Sequence, residues 1–175
     1  MPFMLERFTK AVRLRRTGFL PARGWNMARI ARLIAGLLIG ALAAYVLGTA
    51  INSQFVIGAH GVSVTAGDRF NMTMFDISNM LLYFVIIAVS FIIAFLIAAM
   101  LKRFLPGLAK AAYPVAGAAA IGAALGLMYV MFQTVPISGA RSVAGFIAQM
   151  LAGAFGGWIF ARIAIRSKPA SIAGV

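Results

Sequence analysis

Sixteen basic residues fall unevenly into the gaps between four long apolar runs, and this pattern constrains the chain more than any other feature. The runs cover residues 33–51, 77–101, 111–132 and 142–161. Crossing about 30 Å of hydrocarbon at 1.5 Å per residue takes about 20 residues of helix, and each run meets that length. A lone apolar segment in lipid must satisfy its backbone internally, so each run is predicted to be helical. The runs lack period-two alternation, which excludes a β-barrel.

Composition agrees with a bilayer as the surrounding solvent. The chain is 63% hydrophobic and only 11% charged, where a soluble domain carries about 25% charged residues. A net charge of +13 would point to nucleic acid in a soluble chain. Here it is read as topology and as contact with anionic lipid headgroups, with no nucleic-acid partner. The absence of Cys excludes disulfides, thiolate chemistry and Cys-ligated metals.

Fourteen of the sixteen basic residues lie on one side of the predicted bundle. Eight precede the first run: Arg7, Lys10, Arg13, Arg15, Arg16, Arg23, Arg29 and Arg32. Lys102, Arg103 and Lys110 fall between the second and third, and Arg162, Arg166 and Lys168 follow the fourth. The opposite side has only Arg69 and Arg141. The positive-inside rule then places both termini in the cytoplasm. The expected fold is an all-α membrane protein, an antiparallel bundle of four transmembrane helices with N-in/C-in topology. Residues 1–32 form a basic cytoplasmic or interfacial segment, 33–161 the transmembrane domain with an outer loop at 52–76, and 162–175 a basic cytoplasmic tail.

Met4, Leu5, Phe8 and Val12 share one helical face near the N-terminus, with most of the basic residues elsewhere. This predicts a helix lying on the inner leaflet, held by about 1 kcal/mol per basic residue near the surface. The first run is too long and too late for a cleaved secretory signal. No Ser occurs before Ser53, against a mitochondrial transit peptide. A bacterial inner membrane is the simplest location. Residues 102–110 and 133–141 are short connections carrying Pro106-Gly107 and Pro136, so neighbouring helices are expected side by side, with Ser138 available to cap the fourth.

Helices in lipid gain little from burying apolar surface against one another, so close contact needs small residues. Gly36, Gly40, Ala44 and Gly48 recur at four-residue spacing in the first run. Ala118, Gly122 and Gly126 do so in the third, and Gly145, Gln149, Gly153 and Gly157 in the fourth, with Gly156 nearby. Runs one, three and four are therefore expected to pack tightly. The second, with Tyr83, Phe84, Phe91 and Phe95 and no glycine, is expected to be bulky and more lipid-exposed. Gln149 is the amide well inside a span, read first as an interhelical hydrogen bond and second as part of a solute path.

In the outer loop, residues 62–64 suit a short extended piece. Thr65 as N-cap and Asp68 in the first turn predict a helix leading into the second span, with Phe70, Met74 and Ile77 on one face. Asp76 is the acid nearest the membrane, suited to a helix N-terminus or to an ion pair with Arg141 or Arg69. His60 stands without clustered ligands, so no metal site is expected. Asn71-Met72-Thr73 matches a glycosylation sequon, which matters only in a eukaryotic secretory pathway.

No catalytic or cofactor motif is present, and no cofactor is expected. Three classes of function remain. The first is a non-catalytic membrane protein acting by helix–helix association, as an accessory or assembly subunit for a membrane partner or as a self-oligomer. The second is a small oligomeric transporter or channel for a neutral or apolar solute, with Gln149, Ser90 and Pro114 as the residues that hint at it. The third, an intramembrane enzyme, has only Asp68, Asp76 and His60 to draw on.

Overall fold

The computed structural model describes residues 27–61, 63–104 and 111–165. The predicted N-terminal interfacial helix, Val62, most of the basic turn at 102–110 and most of the basic tail lie outside them. The described residues form five helices and no strand. These are α1 (Met27–Ala59), α2 (Ala66–Asn79), α3 (Leu81–Phe104), α4 (Ala112–Phe132) and α5 (Val143–Ala164), with a 3-10 turn at Ser138–Ala140. The chain divides between Ala31 and Arg32 into two units, and the described residues of the first, 27–31, open α1. Helices α1, α3, α4 and α5 are long and apolar enough to cross a membrane.

Several helix ends follow from single residues. Thr65 and Asp68 close a capping box on α2: Thr65 Oγ1 accepts from Asp68 N at 3.2 Å, and Asp68 Oδ2 from Thr65 N at 3.3 Å. A break at Met80 separates α2 from α3, so the two are not one continuous helix. Helix α4 ends where Gln133 turns left-handed (φ 55°) and its side-chain amide donates to Val130 O at 3.0 Å. The first helix runs past the expected end at Ile51 to Ala59, taking in Asn52, Ser53 and Gln54. It continues because Asn52 and Ser53 find partners inside the protein and nothing in them ends a helix. Gly61, at φ +61°, then supplies the left-handed turn that an L side chain adopts only under strain.

The cap on α5 is Ser142, not Ser138. Ser142 Oγ accepts from Gly145 N at 3.0 Å, whereas Ser138 opens the 3-10 turn one step earlier. Ser142→Ala is therefore expected to cost about 1 kcal/mol of stability, and Ser138→Ala about nothing, by thermal melting in mild detergent. Equal melting of the two variants would reverse the assignment.

The second span is bulky and, with α4, the least buried of the four, as expected, but its rings turn inward. Tyr83, Ile87, Phe91, Phe95 and Ala98 recur at helical spacing as the buried face of α3, while Leu82, Val85, Val89, Leu96 and Met100 point outward. The reason is complementarity: a bulky ring needs a small residue opposite. A Cβ added to Gly156 of α5 would lie 2.9 Å from Phe91 Cε2. Phe95 stacks on Phe160 with centroids 4.4 Å apart, and Tyr113 meets Phe160 edge-on at 4.9 Å. Rings from α3 thus fill what the glycines of α5 leave open.

The small residues of α1 face α5. A Cβ at Gly36 would sit 3.2 Å from Ala164 Cβ, and one at Gly40 would sit 2.6 Å from Gly156 O. Between α4 and α5 the backbones meet at Gly117 and Gly153, where a Cβ on either would strike the other's carbonyl. Gly157 lies against Tyr113 O, Gly145 against Gly139 O, and Gly122 beside the Met150 side chain. Ala44 is buried beside Gly156. Gly126 has nothing within 4 Å of an added Cβ.

Candidate functional site: a buried polar seam

Apolar helices hold few hydrogen-bonding side chains, so the place where such groups gather is the first place to look for function. Here they gather along one face of α1. Tyr45, Thr49 and Ser53 are spaced by four, as are Gly48 and Asn52, and all are buried. They meet Gln149 of α5, Tyr83 of α3, Asp76 of α2 and the backbone of the 3-10 turn.

Gln149 is wholly enclosed, and both ends of its amide are used. Its Oε1 accepts from Tyr83 Oη at 2.9 Å, and its Nε2 donates to Gly48 O at 2.8 Å. One side chain therefore ties three spans. Gly48 must be glycine for this: a Cβ there would stand 2.7 Å from Gln149 Oε1. A buried amide left without partners would cost roughly 1–3 kcal/mol, so the three groups depend on one another.

A second node lies further along α1. Asn52 Oδ1 accepts from Gly139 N at 2.8 Å, anchoring the 3-10 turn, and its Nδ2 faces Asp76 Oδ2 at 3.4 Å. Ser53 Oγ lies 2.6 Å from Asp76 Oδ2 and 3.1 Å from Thr49 O. A hydroxyl has one proton, and the carboxylate at the shorter distance takes it. Tyr45 Oη donates to Ile77 O. Thr49 Oγ1 is fully buried and has no hydrogen-bond partner.

Asp76 therefore binds Ser53 and Asn52 of α1, and among the described residues no ion pair joins it to Arg141 or Arg69. Arg141 is exposed and donates from Nε to Val135 O at 3.1 Å, while Arg69 Nη1 donates to Gln54 Oε1 at 3.0 Å. The physical reason is cost. A neutral hydroxyl and amide already beside the carboxylate lose less hydration on burial than a guanidinium brought in from water. Asp76→Ala is expected to cost about 1–3 kcal/mol in detergent melting. Arg141→Gln is expected to stay within about 0.5 kcal/mol. Equal loss in both would restore the ion pair.

Asp68 and His60 stand apart from the seam. Asp68 caps α2, and His60 Nδ1 lies 2.8 Å from Val56 O. Among the described residues no three of His, Cys, Asp and Glu gather as a metal would need. The seam offers hydrogen bonds and one carboxylate, which accepts the hydrogen bond of the Ser53 hydroxyl. Its bonds tie α1 to α2, α3, α5 and the 3-10 turn.

Tyr45, Thr49, Asn52, Ser53 and Gly139 escaped the reading of the sequence. Asn52 and Ser53 directly follow an apolar run and so read in the sequence as the start of a loop. The usable signal was their four-residue register with Tyr45 and Gly48, which continues the glycine face of α1. No protein-family model, no curated protein and no solved structure matches this chain.

Proposed function

We propose that the chain is a non-catalytic multi-pass protein of the bacterial inner membrane that acts by helix–helix association. It serves as an accessory or assembly subunit for a membrane partner, or as a self-oligomer. Its four spans form an antiparallel bundle with both termini in the cytoplasm. Fourteen of sixteen basic residues on one side support that orientation, and the basic N-terminal segment suits anionic headgroups.

The observation that carries the reading is the enclosure of Gln149. A site for a polar solute needs a donor or acceptor that the solute can reach, and this amide is wholly buried, with its oxygen and its nitrogen each bonded to a neighbouring helix. What the spans leave unpaired is apolar, including Leu151, Phe155 and Trp158 on α5 and Leu82, Val85 and Leu96 on α3. Purification of the full chain in mild detergent tests it. A companion membrane protein in fixed ratio, or a discrete multiple of the chain, is expected. A lone monomer under every gentle condition would overturn it.

One observation favours the second reading, a small oligomeric transporter or channel for a neutral or apolar solute. Thr49 Oγ1 is buried beside the seam without a partner, and a passing solute or water could supply one. Solute flux in proteoliposomes that Thr49→Val abolishes would establish it, and no flux would remove it.

A further inference from the structure

The observations lie between α3 and α4, away from the seam. There the helices leave an apolar groove of about 530 Å³, within the range of roughly 300–1,000 Å³ for sites that take small molecules. Ile93 and Ile97 line one wall, and Ala116, Ala119 and Ala123 the other. Lys102 lines one end and Ser90 the other.

Its length says what fits. Along α3 the groove runs from Ser90 to Lys102, and at 1.5 Å per residue that is about 18 Å. Half of a 30 Å hydrocarbon core is about 15 Å. The groove is thus as deep as one leaflet. A transmembrane helix from a second copy would call for a groove about twice as long.

The Lys102 end suits an anion. Lys102 Nζ stands 3.3 Å from Tyr113 Oη and 4.5 Å from the centre of that ring, which holds the ammonium at the mouth. An ammonium has three donors, so donors remain for a ligand. Helix α4 starts there too, and Ala111 at its N-cap position has no side-chain acceptor for the first amides. Among the described residues the carboxylates, Asp68 and Asp76, both belong to α2 and neither forms an ion pair with Lys102.

We propose that this groove binds one anionic phospholipid, with an acyl chain lying between α3 and α4 and its phosphate on Lys102. The alanine wall is smooth enough for a chain of methylenes, and Lys102 reads the charge of the headgroup. Lipid binding here rests on residues of α3 and α4 and does not depend on which membrane partner the protein assembles with.

Native mass spectrometry of the full chain in mild detergent tests it, with dipalmitoyl phosphatidylglycerol and dipalmitoyl phosphatidylcholine added in turn. The anionic lipid is expected to be retained about fivefold better, the worth of one basic residue near a membrane surface. Lys102→Gln is expected to remove that share of the preference, Lys102→Arg to keep it, and Arg103→Gln to leave it unchanged. Ala119→Trp, on an exposed position of the wall, fills the groove and is expected to lose the retained lipid with unchanged melting. Equal retention of the two lipids, or a preference that survives both Lys102→Gln and Ala119→Trp, would overturn the proposal. So would an Ala119→Trp protein that dissociates from a dimer to a monomer while its lipid stays bound, because the groove would then belong to a second copy.

Discussion

Gly153→Ala is expected to destabilise the protein by about 3 kcal/mol, near the upper end for overpacking, while Gly126→Ala leaves it unchanged or gains up to about 1 kcal/mol. Both residues stand in four-residue rows of small side chains, so pattern alone assigns them the same role. Their surroundings differ. A methyl group at Gly153 would meet Gly117 O and stand 2.5 Å from Ile121 Cγ1, and the backbone of α4 cannot swing aside as a side chain can. The helices must separate, losing contact along the whole α4–α5 seam. Gly126 has open space, and alanine is the better helix former. Thermal melting of both variants in one mild detergent measures the difference. Indistinguishable curves would mean that the Gly117 and Gly153 backbones do not touch in the membrane.

Gln149→Leu is expected to cost about 2 kcal/mol, because it strands the Tyr83 hydroxyl and removes the donor to Gly48 O. Tyr83→Phe deletes only the donor to Oε1 and is expected to cost about 1 kcal/mol. The two changes share one bond, so the double variant should lose less than their sum, with a coupling of about 0.6–1.7 kcal/mol. Additive losses would show that the two side chains act separately. Under the association reading, both variants also shift the protein toward dissociated or unfolded species. Under the transport reading they would change flux with little change in melting.

The length and apolarity of the runs made the four spans legible, and the capping pattern at Thr65 and Asp68 made α2 legible. Hydropathy fails where a polar residue is paid back by a neighbour distant in sequence. Asn52 looks like a loop residue until Gly139 is seen to donate to it across 87 positions. The same limit applies to α3: its bulk and its exposure to lipid are legible, but whether the Phe91 ring faces lipid or protein depends on a glycine two helices later. Asp76 and Arg141 are of opposite charge and near equivalent helix ends, which suggested a pair. The partners within reach turned out to be two uncharged side chains of α1. Small-residue rows mark which helices approach closely, and only the backbone path decides which member of a row is at the contact.

Helix α1 is 33 residues long, about 50 Å, whereas α4 has 21 residues, about 32 Å. In a bilayer the shorter rod matches the hydrocarbon thickness with nothing to spare, while the longer one has ample overhang. The buried bonds from Gly48 and Asn52 hold α1 in register with its neighbours, so thinner or thicker lipid is met by the overhanging ends of α1 but felt at once at the ends of α4. The groove ending at Lys102 lies along that shorter rod, so a lipid bound there as proposed would meet the local thickness as well as the charge at its headgroup.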